Sequence, residues 1–238
     1  MPGSRAFVRQ QSHKLVRSSV TRAGIAALSI LALHLGYALD RAAYLGKTEW
    51  LGFVLVSAAL FPAAMITADP LPRSRENRMM LLEAALPLGS VHRNSVTFGL
   101  ALVLSSASIA VLVGTLWLST VLGRGLALRV FASLVPVVVL GWGLGALVSG
   151  LARTRIMALL SSTGACLVLL ATTEMFSGAL ARVGAGFVVE TNPLTPAYAS
   201  AQDALAGWPA RPSPIPGLVG AILAGIGLGA ARWRRIPR

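Results

Sequence analysis

The sequence predicts an all-α integral membrane protein, a bundle of six transmembrane helices. Three observations lead there. The 238 residues are 55% hydrophobic and only 12% charged, with a mean hydropathy of +0.72, well outside the range of soluble globular domains. The apolar residues fall into six runs of about the 17 to 25 needed to cross a bilayer as a helix. The Lys and Arg that give a net charge of +13 lie in short pieces between those runs, as expected of loops that fix membrane orientation.

The runs are Ala23 to Leu39, Trp50 to Ala68, Val96 to Leu122, Val130 to Ala152, Ile156 to Phe176 and Ile215 to Ala231. Barrel strands would be shorter and would alternate in polarity. The first run follows a long basic N-terminus and no small-residue cleavage site comes after it, so it reads as a retained span rather than a signal peptide. With the N-terminus inside, fifteen of the 21 Lys and Arg fall on the cytoplasmic side, and Arg41, Lys47, Arg124, Arg129, Arg182 and Arg211 on the other. Both termini are then cytoplasmic, and the chain is a multi-pass protein of the cytoplasmic membrane. A nucleic-acid partner is not expected, because its binder would gather basic and aromatic residues on one folded face. The single cysteine, Cys166, lies inside an apolar run and allows no intrachain disulfide.

Two connections are longer than turns. The external one, 177–214, opens with "SGALARVGAGFVVE", which is apolar but too short to span and so is re-entrant or interfacial. "TNPLTPAYASAQDAL" follows, where Asn192-Pro193 marks a turn and Thr195 can cap a helix beginning at Pro196. The cytoplasmic one, 69–95, contains "SRENRMMLLEAALPLGSVHR". Glu76 and Glu83 are seven apart and share a helical face, while Met79, Leu82 and Leu86 form an apolar stripe. Pro87 and Gly89 stop that helix. One apolar stripe, one acidic edge and flanking Arg75, Arg78 and Arg93 fit docking into a groove on a cytoplasmic partner. Anchoring of the loop to lipid is the alternative, which the acidic edge disfavours. The N-terminal residues 1–22 are basic, with Phe7, Val8, Leu15 and Val16 about two helical turns apart. They form either an interfacial helix drawn to anionic membrane lipids or a disordered tail.

Chemistry-bearing motifs are sparse. Gly46-Lys47-Thr48 has the tail of a phosphate-binding loop, but Arg41 stands where the first glycine of that loop belongs, and the topology puts the segment outside. Of His13, His34 and His92 only His34 lies in a span, without a serine partner for intramembrane proteolysis. No paired carboxylates and no His/Cys clusters point to a metal or an acid-base site. The chain is therefore expected to be no enzyme and to hold no cofactor of its own. Ionisable groups at membrane depth mark functional paths by default. His34 is one, with an interhelical hydrogen bond as its plainer role. Glu174, near the outer end of the fifth span, is the other, and it can also reach the interface. Gly141/Gly145 and Gly225/Gly229 are GxxxG pairs, read as close packing within one subunit before a dimer face.

The order of six spans, "RENRMMLLEAALPLGSVHRNSVTFG" between the second and third, and "ETNPLTPAYASAQDAL" between the fifth and sixth resemble the type-2 family of ATP-binding-cassette (ABC) export permeases. In that family an acidic-basic start, a Leu-Glu pair, a Leu-Pro pair and a basic residue lead into the third span. Glu76, Leu82-Glu83, Leu86-Pro87 and Arg93 match this, and Asn192 to Thr195 match the family's Asn-Pro-Leu-Thr before the last span. The chain departs at Met79 to Leu82, where the family often has Gly-Thr-Leu before the glutamate.

The resemblance implies a cytoplasmic coupling helix docking an ATPase through Arg75, Glu76, Arg78, Met79, Leu82, Glu83, Leu86, Pro87 and Arg93. It implies pairing with a second permease copy or a paralogous permease, with ATP and Mg bound only in separate nucleotide-binding ATPase subunits. The N-terminal residues become an interfacial connecting helix. The expected function is export of a hydrophobic or amphipathic substrate, a drug, lipid or peptide-like molecule, across the bacterial cytoplasmic (inner) membrane. Glu174, Asn192, Pro193 and His34 are the candidate gate or substrate-path residues. A stand-alone membrane protein, either a secondary transporter or an assembly scaffold, is the alternative. A secondary transporter should bury coupling carboxylates near the midplane, and only Glu174 comes near a span core.

Overall fold

The computed structural model describes residues 2–41, 48–77, 89–118, 124–173, 176–209 and 211–233. All regular structure among them is helical: α1 (Pro2–Val16), α2 (Ser19–Arg41), α3 (Thr48–Ala68), α4 (Pro70–Glu76), α5 (Ser90–Leu118), α6 (Arg124–Leu151), α7 (Arg155–Ala171), α8 (Ser177–Arg182), α9 (Phe187–Thr191), α10 (Thr195–Leu205) and α11 (Ile215–Trp233). Three stretches, Glu49–Glu76, His92–Leu118 and Arg124–Leu151, are long and apolar enough to cross a membrane. Ser19–Leu31, Arg155–Ala171 and Ile215–Ala231 are apolar but shorter.

Helix ends do not coincide with the ends of the apolar runs. α5 begins at Ser90 rather than Val96, and α6 at Arg124 rather than Val130, because a helix keeps its hydrogen bonds through polar residues that hydropathy leaves out. α7 stops at Ala171, short of the predicted Phe176. There Thr172 and Thr173 donate their amides to the Val168 and Leu170 carbonyls at 3.1 and 3.2 Å, tightening the last turn.

α6 is the hub. Its most extensive neighbour is α11, followed by α3, and α5, α10 and α7 also lie against it. Glycine makes this possible on two faces. A Cβ on Gly141 or Gly145 would come within 3.0 Å of the Leu60 or Ala64 carbonyl oxygen of α3. One on Gly143 or Gly150 would meet the backbone of Gly220 or Gly227 on α11 equally closely. Gly141 and Gly143 are two residues, about 200°, apart around the helix, so the two seams lie on opposite sides of α6. In both seams residue numbers rise together, so α3, α6 and α11 run parallel. Close backbone approach through small residues is how helices pack where no hydrophobic effect separates helix from lipid.

Gly141/Gly145 is thus an intrachain seam. Gly225 and Gly229, by contrast, have nothing within 4 Å of a built Cβ. The sixth predicted span packs through Gly220 and Gly227, a spacing of seven, and the GxxxG pair of α11 faces outward.

Polar contacts sort the rest to two ends of the bundle. One end gathers Ser18, Asp69, Arg75, Ala152 and Arg155. The other gathers Glu49, Arg129, Leu169, Asn192, Tyr198 and Gly207. α2, α5 and α7 leave the first end, and α3, α6 and α11 return to it.

α1 is an ordered helix packed on α5 and α2. Phe7, Gln11 and Leu15, spaced by four, are buried along one side, while Val8 and Val16 are exposed. α2 has an apolar groove on each flank, one toward α3 and one toward α5.

Candidate functional site

α4 is short, but its charges are placed where two other helices end. Pro70 at its start needs no amide partner, the usual place for proline in a first turn. Arg75 donates from Nη1 to the Ala152 and Ser149 carbonyls at 2.6 and 3.4 Å. These are orphan acceptors at the C-terminus of α6, where a cation is favoured by the helix dipole. Glu76 accepts the backbone N–H of Arg155 on Oε1 at 2.6 Å. That is the N-terminus of α7, where a carboxylate is favoured for the same reason. Thr154 adds its own cap by accepting the Met157 amide at 3.2 Å. α4 therefore splints the α6–α7 corner with a cation on one helix end and an anion on the next.

Asp69, the residue before α4, links this corner to the N-terminal helices. It is 2% exposed. Arg155 donates from Nε to Asp69 Oδ1, and Ser18, between α1 and α2, donates its hydroxyl to Oδ2 at 2.8 Å. Arg155 Nη2 also donates to Ser19 Oγ at 3.0 Å, and Arg73 lies 3.8 Å from Asp69 Oδ2. A buried carboxylate is costly unless it is paired and hydrogen-bonded, and Asp69 has both kinds of partner. Trp142 on α6 ties in α5 by donating Nε1 to the Phe98 carbonyl at 2.7 Å.

Of the predicted docking residues, Arg75 and Glu76 are therefore engaged within the chain, on α6 and α7. Arg93 sits in the first turn of α5, half-buried, its amide donating to the Gly89 carbonyl at 3.1 Å. Arg78, Met79, Leu82, Glu83, Leu86 and Pro87 lie outside the described residues, immediately beyond α4. Residues 42–47, with most of the Gly-Lys-Thr match, also lie outside them.

At the opposite end, Asn192 is buried and fully used. Its Nδ2 donates to the Leu169 carbonyl at 2.7 Å and to Thr172 Oγ1 at 2.9 Å. Its Oδ1 accepts the Leu194 amide at 2.8 Å, an Asx turn into α10. Thr195 is not the cap of α10: it is the first helical residue, and its hydroxyl donates to the Val189 carbonyl at 2.7 Å. Asn192 takes over the local turn, which leaves Thr195 free to hold α9. Tyr198, 1% exposed, then fixes α10 on α3 by donating to the Glu49 carbonyl at 3.0 Å. Asn192 is thus a strap between α7 and α10, with half-buried Pro193 in its turn. Asn192→Ala should lower stability by about 1–3 kcal/mol, because it leaves the buried Leu194 amide unpaired. Unfolding of the purified protein by SDS titration measures this, and no change would show that the strap carries no load.

His34 is exposed on α2, and Glu174 lies outside the described residues. Asp69, Arg155, Ser18 and Ser19 were not singled out from sequence. The available signal was Asp69 itself, a lone acid at the end of an apolar run that is followed only by arginines until Glu76.

The chain matches no protein-family model and no curated protein.

Proposed function

We propose that this chain is the membrane-spanning permease subunit of a bacterial ABC exporter, driven by ATP hydrolysed in a separate subunit. The observation that carries the reading is the attachment of α4. The segment that resembles a coupling helix, roughly Arg75 to Arg93, begins in the last turn of α4 and runs on from it. A displacement of that segment is delivered to the C-terminus of α6 through Arg75, to the N-terminus of α7 through Glu76, and to the α1–α2 junction through Asp69. Stiff, charge-paired links of this kind carry motion between elements that have two discrete arrangements.

In this reading six helices cross the membrane, α2, α3, α5, α6, α7 and α11, with both termini cytoplasmic. α8, α9 and α10 lie at the outer face. Closure of two partner ATPases on ATP pushes the coupling segment, and a path between paired permeases opens outward. The cargo is hydrophobic or amphipathic, because the predicted spans are so apolar. Catalysis, ATP and Mg belong to the partner.

Protein tagged and purified from native membranes is expected to bring an ATPase subunit with it. Glu83→Arg should cut that recovery about tenfold or more, as for loss of a paired interfacial charge. Recovery of the permease alone, with transport intact in Glu83→Arg, would overturn the proposal.

A further inference from the structure

Two cavities lie near the α4 end of α2. The first is a cleft of about 430 Å³ between α1 and α4. Lys14, Arg17 and Arg73 line it, and the one carboxylate among its described lining residues, Asp69, is shared by Ser18, Arg155 and, at 3.8 Å, Arg73. The cleft therefore presents net positive charge.

The second is a groove of about 540 Å³ between α2 and α3. Its α2 wall is Val20, Gly24, Ala27 and Leu31, and its α3 wall is Val54, Ala58, Phe61 and Met65. Both walls follow the spacing i, i+4, i+7, i+11 that lines up on one face of a helix. The hydroxyl of Ser57, the polar residue among them, is occupied by the Phe53 carbonyl at 2.7 Å. From Val54 to Met65 the wall runs about 16 Å, close to half of the roughly 30 Å hydrocarbon core. Ser18 and Asp69 line the cleft, and Val20 and Ile66 line the groove. The two linings are thus separated by about half a turn of chain on the α2 side and just under a turn on the α3 side.

We propose that the two cavities together hold one anionic phospholipid, its phosphate in the α1–α4 cleft and one acyl chain along the α2–α3 groove. Charge complementarity selects the occupant. The cations favour a head group with net negative charge, whereas the ammonium of a zwitterionic lipid would meet like charges. The apolar walls accept an acyl chain and have nothing to offer a polar one. The inference requires only that the chain lie in a membrane, and it stands or falls separately from the exporter reading.

The test is native mass spectrometry of the full-length detergent-purified protein against phosphatidylglycerol and phosphatidylcholine. One phosphatidylglycerol per chain should be retained in preference. Arg17→Glu should reduce that preference about tenfold or more, and Arg17→Lys should keep it. Ala27→Phe, which fills the groove at an exposed position of its wall, should lower phosphatidylglycerol retention while leaving the thermal unfolding of the protein unchanged. Equal retention of the two lipids, or normal retention in both Arg17→Glu and Ala27→Phe, would overturn the proposal. So would complete displacement by millimolar glycerol phosphate, which would mark a free-phosphate site. A disulfide between two copies of Ala27→Cys in native membranes would overturn it as well, by showing the groove to be a subunit interface.

Discussion

Gly143→Val is expected to separate α6 from α11 and to destabilise the protein by about 3 kcal/mol or more, at or beyond the upper end of overpacking costs. A Cβ at this position would overlap the carbonyl oxygen, carbonyl carbon and Cα of Gly220, all backbone atoms that no rotamer change can move. α6 also holds α3 on its other face through Gly141 and Gly145, so shifting it disturbs both seams. The contrast that makes this specific lies on α11. Gly225→Ala and Gly229→Ala have open space around the new methyl, and should change stability by no more than about 1 kcal/mol, in the stabilising direction, because alanine is the better helix former. Unfolding by SDS titration of the three variants decides the matter. Equal loss at all three positions would mean that α11 packs through its GxxxG face after all.

Asp69→Ala should cost about 3 kcal/mol, the lower end for breaking a buried pair, because the surviving Arg155 side chain is 29% exposed and can be partly solvated. The loss is shared: Arg155 forfeits its acceptor and the Ser18 hydroxyl forfeits its own. Asp69→Asn keeps an acceptor toward Arg155 and should fall between wild type and alanine. A double-mutant cycle with Arg155→Met should return a coupling of about 1–3 kcal/mol, since the two side chains touch. Additive single effects would mean that the pair does not join the α1–α2 junction to the α6–α7 corner.

The helical class and the approximate place of every long helix were legible because hydropathy over a span-length window reads directly as depth. The glycine seams were legible only in half. Gly141 and Gly145 obey the four-residue spacing that sequence reasoning looks for. Gly220 and Gly227 are seven apart, and their role depends on Gly143 and Gly150, a partner seam at the same interval on another helix. No local pattern announces that match. The same limit applies to Asp69 and Arg155, which lie 86 residues apart in sequence and each look like an ordinary charge at the end of an apolar run. Arg75 and Glu76 read from the sequence as docking charges, and in the fold they bond to the ends of α6 and α7; amphipathic spacing within one helix cannot tell an outward docking contact from an inward cap on a neighbouring helix. Asn192 was noticed for its turn with Pro193. Its bonds to Leu169 and Thr172 come from a chain reversal that the sequence marks but does not aim.

The claim that motion enters through the segment following α4 is tested most directly by a photo-crosslinking amino acid at position 83, activated in native membranes. The account predicts one dominant adduct with an ATPase subunit, its yield changing between nucleotide-free and ATP-trapped states. Adducts with lipid alone, or labelling of that position by a membrane-impermeant reagent added to intact cells, would contradict it.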